Sequence, residues 1–370
     1  MEFTVSKADL VRELGLSQGV VEKRTTIPIL SNVLMEAEGD HITLTATDLE
    51  LGIRSSCPAT VKKPGSGTIP LRRLLDYVRL LPESEIQIKF AENQWAHITC
   101  GRSRTRMAGM SRDSYPELPQ AVETPVRISI AALASMIEGT IFAISMEESR
   151  FTLNGALLQI KQGHMTMVST DGHRLAVMER RFDEDPSTAI RVLIPKKAMA
   201  ELLKMATEAP PDTVIGFTAT ENHLFFQVGH RLLLSRKLTG NFPDYDRVLP
   251  REQPHQMVLA REELRSTVER VSQFSDERTR AVKLKLTKGE LVVHSSLLET
   301  GESEETISTV YDGPDLEIGF NAQYMLDFLR AVPEHQLSFH FKDSTSAGEM
   351  RPVGENLSYQ YRYVIMPMRI

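Results

Sequence analysis

One arrangement, a short alternating stretch leading into an amphipathic helical stretch and then into strand pairs, occurs three times along the chain. The copies open with "MEFTVSKADLVREL" (1–14), "PVRISIAALASMIEGTIFAIS" (125–145) and "HQMVLAREELRSTVERVSQFS" (255–275). In the first, Ser6 is placed to cap the helix, and Asp9 three residues on completes a capping-box-like pattern. Each copy continues with two alternating stretches joined by a polar turn: "NVLMEAEGDHITLTATDLELGIR" (32–54), "NGALLQIKQGHMTMVSTDGHRLAV" (154–177) and "AVKLKLTKGELVVHSSLLETGESEE" (281–305). A period of two on either side of a glycine-containing turn predicts β-hairpins.

A second strand and helix follow in every copy, over 68–82, 192–206 and 317–333, and then further alternating strands such as 85–101 and 213–237. The connectors "SRDSYPELP" (111–119) and "GNFPDYDRVLP" (240–250) also echo each other. The expected fold is therefore α+β, in three tandem domains over 1–121, 122–250 and 251–370, each with two helices on antiparallel sheets. A length of 370 residues gives each copy about 120, an ordinary domain size.

Composition narrows the function classes. At 41% hydrophobic and 25% charged, the chain reads as a globular protein with sizeable cores. No apolar run approaches the roughly 20 residues that span a bilayer, and the N-terminus lacks a basic-then-apolar secretory pattern. Cys57 and Cys100 form no CxxC or metal spacing, so free thiols in the cytoplasm are expected. The net charge of −6 does not exclude a nucleic-acid partner, because binding depends on where charges lie.

Rigid repeats in a row leave unpaired strands at the ends of the array, and unpaired strands invite another chain. "HITCGRSRTRM" (97–107) is expected to carry Arg102, Arg104 and Arg106 on one face of such a strand, and "LLETGESEETI" (297–307) Glu302 and Glu304 on another. Two solvated edges that repel aggregation are one reading. The other is a head-to-tail contact between copies, with Phe274 as its apolar part, closing into a ring where the rotation permits.

The segments "RTTIPILSN" (24–32), "TATDLE" (45–50), "STDGHRLAV" (169–177), "FPDYDRVLP" (242–250), "IGFNAQYMLDFL" (318–329) and "YVIMPMRI" (363–370) together resemble the bacterial DNA polymerase III beta subunit family, the sliding clamps, over the full length. The resemblance implies repeats of the DNA-clamp fold and a homodimeric ring of six such domains. Duplex DNA would pass through the ring, held by topology without sequence readout, with no catalysis, metal or cofactor. It implies as partners the polymerase III alpha subunit, the clamp loader, and other polymerases and repair proteins that dock through short peptide motifs. It implies no membrane partner.

Phosphate attraction without base readout needs basic residues. The second helix of the first copy opens with Arg72 and Arg73, and that of the second with Lys196 and Lys197, read here as equivalent positions. Cations there oppose the helix dipole, which favours a functional reason for them over plain solvated charge. The third copy breaks the pattern with Asn321 and Ala322. Arg24 matches a family position that contacts DNA, while the acids Glu147 and Glu148 stand in a loop that approaches DNA in the family.

"STDGHRLAV" tests the alternatives. Its first-copy counterpart keeps Thr47 and Asp48, so Thr-Asp reads as a turn whose acid bonds its own backbone. Gly172, His173 and Arg174 are particular to the middle copy. A hydrolase or metal site on Thr170, Asp171 and His173 lacks a second ligand set, since the ten histidines are scattered. A scaffold that binds proteins only is the remaining rival. By resemblance, the peptide pocket between the second and third domains takes Arg150, Leu153, Thr170, Gly172, His173, Arg174 and Leu175. Pro243, Arg247 and Val248 join from the connector, and Tyr324, Val364, Met366, Pro367, Met368 and Arg369 from the third domain. Gly would admit a partner backbone, Met would adapt to varied side chains, and Arg would fork to carbonyls or carboxylates. Asp246, Thr345, Ala347 and Ile370 depart from the commoner family residues.

Overall fold

Residues that tolerate a left-handed backbone close the predicted hairpins: Gly39 (φ 59°), Gln162 with Gly163 (52° and 73°) and Gly289 (81°). The computed structural model describes residues 1–22, 25–120, 125–184, 189–297 and 301–369. The first third runs β1 (Glu2–Ser6), α1 (Lys7–Gln18), β2 (Asn32–Glu38), β3 (His41–Thr47), β4 (Leu51–Lys63), β5 (Gly65–Pro70), α2 (Leu71–Leu80), β6 (Glu85–Phe90), β7 (Trp95–Cys100) and β8 (Ser103–Ala108). The middle third runs β9 (Val126–Ser129), α3 (Ile130–Thr140), β10 (Gly155–Lys161), β11 (His164–Thr170), β12 (Arg174–Arg181), β13 (Ile190–Pro195), α4 (Lys196–Glu208), β14 (Val214–Ala219), β15 (His223–Val228) and β16 (Arg231–Arg236). The last third repeats the order with β17 (His255–Ala260), α5 (Arg261–Val271), β18 (Ala281–Thr287), β19 (Glu290–Leu297), β20 (Gly301–Ser308), β21 (Leu316–Asn321), α6 (Ala322–Ala331), β22 (Gln336–Phe341), β23 (Gly348–Val353) and β24 (Tyr359–Ile365).

Two compact units share this chain: Met1–Ala134 with Lys197–Lys237, and Ser135–Lys196 with Leu238–Ile370. The first is built on a 12-stranded antiparallel sheet whose main path is β8-β7-β6-β1-β4-β16-β15-β14-β9. Helix α2 places Leu71, Leu74, Leu75 and Val78 at the i, i+3, i+4, i+7 spacing of one face, and all four are fully buried. Burial of each contributes about 1.5–3 kcal/mol. The Ser6 hydroxyl caps α1, accepting from the Asp9 N–H at 3.4 Å. The return half of the capping box is missing: the Asp9 carboxylate pairs with Arg12 at 2.7 Å instead.

The second unit holds an eight-stranded sheet, β13-β10-β11-β12-β24-β23-β22-β17, and a four-stranded one, β20-β19-β18-β21. Its core is aromatic, with Phe320, Phe328, Phe339, Phe341 and Tyr363 buried. Phe328 stacks on Tyr363 at a centroid distance of 4.9 Å.

Within each unit one ladder joins consecutive repeats. In the first, β4 of the first repeat pairs with β16 of the middle one, Arg54 opposite Leu232 and Gly52 opposite Leu234. In the second, β12 of the middle repeat pairs with β24 of the last, Arg174 opposite Ile365 and Arg180 opposite Tyr359. By repeat position β4, β12 and β20 correspond, as do β8, β16 and β24. Strands β8 and β20 are the ends of their sheets.

Two expectations are corrected. Arg102 lies in the β7–β8 turn, not on the strand face, which carries Arg104 and Arg106 exposed. The basic pairs on α2 and α4 are out of register by one: β5 ends at Pro70 and β13 at Pro195, so Arg72 corresponds to Lys197 and Arg73 to Ala198. In the third repeat β21 ends at Asn321, and the matching residue is Gln323 rather than Asn321 or Ala322.

Candidate functional site

The turn between β11 and β12 is the centre of the site, and the first repeat supplies its control. The Asp171 carboxylate accepts from the N–H groups of His173 (2.9 Å) and Arg174 (3.1 Å). Thr170 Oγ1 donates to the Arg174 carbonyl and accepts from the Gly172 N–H. Asp48 and Thr47 make the same four bonds to Glu50, Leu51 and Leu49. Thr-Asp is therefore a turn-building pair in both copies. What differs is the tip. Gly172 has φ 90°, and a Cβ there would stand 2.8 Å from the Arg150 guanidinium, which bonds the Asp171 carbonyl at 2.8 Å.

Arg174 overturns the role given to it. Its side chain is 8% exposed, too little for it to fork to a partner's carbonyls. Nε donates to Asp171 Oδ2 (2.9 Å), Nη1 to Asp327 Oδ2 (2.6 Å) and Nη2 to the Phe142 carbonyl (2.6 Å). Tyr324 lies against its plane, 4.3 Å from the ring centroid. Burial opposes its charge, but Tyr363, Asp327 and Asp171 outweigh that and raise its pKa. His173 remains exposed and stacks on Tyr324 with ring centroids 6.5 Å apart.

Beside this turn lies an apolar floor of Leu153, Leu157, Val168, Leu175, Val177, Leu193, Phe242 and Val364, with Tyr245, Leu249, Leu238 and Ala347 packed at its margin. Leu153, Leu175 and Val364, which the resemblance assigns to a peptide pocket, are buried in this floor. Pro243, Arg247 and Val248 are exposed on the connector, where Arg247 pairs with Asp244 at 2.8 Å, and Asp246 beside them is exposed too. Thr345 is held in the turn that Asp343 builds. Met366 is tied to the central turn, its N–H donating to the His173 carbonyl at 2.9 Å, and its side chain is exposed. After Pro367 the chain leaves this place: Met368 pairs with Gly319 on β21, and Met368 and Arg369 line a separate cleft of about 300 Å³ with Thr279, Lys283, His294 and Ser295.

Sequence reasoning missed Phe242, which opens the FPDY motif: a lone aromatic in a connector carries no period that marks it as buried. It also missed Asp327, whose contact with Arg174 spans 153 residues and leaves no local pattern.

Family profiles for the DNA polymerase III beta subunit match the chain in order: the N-terminal domain over residues 1–119, the central domain over 127–244 and the C-terminal domain over 246–369. The chain belongs to this family, the sliding clamps. It is 34% identical to the beta sliding clamp of Pseudomonas putida, over 100% of both chains. The crystal structure of the Pseudomonas aeruginosa clamp bound to griselimycin superposes with a TM-score of 0.94 at 34% identity, covering 100% of each chain. That of the Bacillus subtilis clamp gives 0.94 at 27%, covering 100% of this chain and 99% of the other.

As a sliding clamp the protein is a non-catalytic processivity factor of bacterial DNA replication, built from three clamp domains. Thr170 and Asp171 are consumed by their own turn, and among the described residues no cluster of metal-ligating side chains forms. No helix among them is long and apolar enough to cross a membrane.

The clamp's basic residues divide into two groups. Arg72 donates to the Val21 carbonyl (2.8 Å), and Lys197 to the Val20 carbonyl (3.0 Å) while pairing with Asp48. These corresponding residues both hold the chain just beyond α1. Arg73 is exposed. Lys196 is half-buried against Met146, its pKa lowered by burial and by Arg174. Arg24 lies outside the described residues. Glu147 and Glu148 are exposed, and Glu147 pairs with Arg150.

At the clamp's free strand edges, Arg104 and Arg106 line β8, Arg106 lying over Trp95 at 5.6 Å. Glu302 and Glu304 line β20. Phe274 follows α5 beside Gly301, the first residue of β20, with its carbonyl accepting from Ser295 Oγ.

Proposed function

We propose that two copies of this clamp join head to tail through β8 of one and β20 of the other, closing a six-domain ring around duplex DNA. One observation carries this: two inter-repeat ladders use a β4-type strand against a β8-type strand, and β20 and β8 are the unmatched members of that set. In the β4:β16 ladder Arg54 faces Leu232 and Gly52 faces Leu234. Counted from the β7–β8 and β15–β16 turns, Arg104 and Arg106 correspond to Leu232 and Leu234. Counted along β3 and β19 from the turns that open them, Thr47 and Thr45 correspond to Ser296 and His294, whose ladder partners are Gly52 and Arg54 on β4 and Glu302 and Glu304 on β20. Transferring that register sets Arg104 opposite Glu304, and Arg106 opposite Glu302, of a second copy. Opposite charges across an edge select this partner and disfavour like-with-like pairing. Phe274 adds apolar contact beside the ladder, and Arg102 borders it from the turn. Sedimentation tests the pairing: Arg104→Glu with Arg106→Glu yields monomers, and adding Glu302→Arg with Glu304→Arg restores the dimer. An unchanged sedimentation coefficient for the first variant refutes it.

In this reading the domains divide at 121/122 and 250/251, and the ring works in the cytoplasm. Arg24, Arg73 and Lys196 meet DNA phosphates, whereas Arg72 and Lys197 act indirectly by holding the segment that leads to Arg24. The apolar floor and the 170–173 turn dock short peptides of the polymerase III alpha subunit, the clamp loader, and other polymerases and repair proteins. Tyr324, Met366, Val248, Pro243, Arg150 and Arg247 frame that pocket. Pro367 ends that frame, and Met368 and Arg369 line the separate cleft with Thr279 and Lys283. Because a relative was crystallised with griselimycin, that compound is a direct probe. Saturable griselimycin binding by calorimetry, lost in Val248→Asp with Met366→Asp, supports the pocket. Undiminished binding in that variant removes it.

A further inference from the structure

Of the proposed pocket residues, Gly172 and His173 are exposed and Tyr324 is half-buried, and behind the turn and that ring lies one buried group, Arg174. Arg174 ties the turn through Asp171, carries Tyr324 on its face, and is itself gripped from helix α6 by Asp327. Asp327 is fixed in turn: its second oxygen accepts from Gln323 Nε2 at 2.7 Å, and Gln323 Oε1 accepts from Arg280 at 2.8 Å. The Asp327 side chain is 20% exposed and holds a different guanidinium nitrogen from the one that Asp171 takes.

We infer that Asp327 is a positioning residue of the docking pocket, acting through Arg174 to set the wall formed by the 171–173 turn and Tyr324. The inference rests on the docking reading above. Two carboxylates and one carbonyl share this guanidinium. With Asp327 neutral, the arginine loses one of its two counter-charges in a nearly dry place and shifts toward Asp171 or water. Either movement drags the turn and frees the Tyr324 ring, so the ligand must pay to reorder a wall that was already in place. Asp327→Asn keeps the shape of the side chain and removes only the charge.

The experiment measures griselimycin affinity by calorimetry and thermal midpoint by calorimetric scan, on the full-length chain. Asp327→Asn is expected to bind about tenfold more weakly, the scale of coupling between residues in contact. Val268→Ala, a cavity in buried α5 outside the pocket, serves as a control of similar or greater destabilisation and is expected to bind normally. Arg174→Met and the double variant Arg174→Met/Asp327→Asn are expected to bind equally weakly, because the inferred route from Asp327 to the wall runs through the Arg174 guanidinium. Binding of Asp327→Asn within about twofold of the unaltered chain overturns the inference. So does an equal loss in Val268→Ala, or additive losses in the double variant. Val248→Asp with Met366→Asp separates the two failures: if that pair binds normally the docking reading itself is wrong, whereas if it loses griselimycin while Asp327→Asn keeps it, only the positioning role falls.

Discussion

Leu49 and Gly172 occupy the same place in two copies of one turn, at φ 79° and φ 90°. The glycine suits that backbone; the leucine does not, and its side chain is half exposed. A left-handed residue with a Cβ costs about 1–2 kcal/mol, more than glycine's extra chain entropy, so Leu49→Gly is expected to raise stability by about 0.5–1 kcal/mol in urea unfolding. Gly172→Ala is expected to do the reverse and to displace Arg150. A different residue, Glu13, anchors the first unit from inside: fully buried, it takes Arg231 at 2.7 Å, Arg12 at 3.1 Å and His230 at 3.4 Å. Burial raises its pKa, but Arg231 and Arg12 outweigh that and hold it below 4.5. A lowered folded pKa means its contribution is complete above about pH 4.5 and lost as pH falls through the folded value. Glu13→Gln is expected to cost about 3 kcal/mol at neutral pH, with the gap in thermal midpoint narrowing below pH 4.5. At this scale the sequence was legible where bonds are local. The Thr-Asp doublet could be read from its two copies, whereas the burial of Arg174 could not, since its acceptors at Asp327 and Phe142 come from distant segments.

Helices and strands announced themselves by period, and among the described residues six α-helices with antiparallel hairpins stand where the pattern put them. Their register was less plain. Ile69-Pro70 and Ile194-Pro195 mark the starts of α2 and α4, and matching the helices by charge instead of by proline slides them by one residue. The consequence is measurable. Arg72→Ala is expected to lower the thermal midpoint, because it frees the Val21 carbonyl. Arg73→Ala is expected to leave the midpoint alone and to reduce the salt slope of weak duplex binding, by up to about 0.9 if it meets one phosphate. Anisotropy at several salt concentrations separates them. The two edge strands were found as charged alternations, but that they are the unused halves of a recurring ladder needed the sheet order.

For the molecule as a whole, enclosure rather than grip is the expected basis of DNA retention. Loaded onto a nicked circle by a clamp loader with ATP, the protein is expected to stay with the circle in gel filtration until it is cut, then to slide off the ends; retention on linear DNA argues for direct grip, and a scaffold that binds proteins only is never held on the circle. The repeats that made three domains visible in the sequence gave no hint that each ladder would be completed by the next repeat. Leu51–Ser235 and Arg174–Ile365 are ladder partners from different thirds of the chain. A gene truncated after the first third would therefore strip β4 of its neighbour over Leu51–Arg54 and leave raw amide groups beside an apolar stripe. Such fragments should precipitate when expressed alone, so dissecting this protein piecewise is a poor route to its parts: point changes in the intact polypeptide are the tool its construction allows.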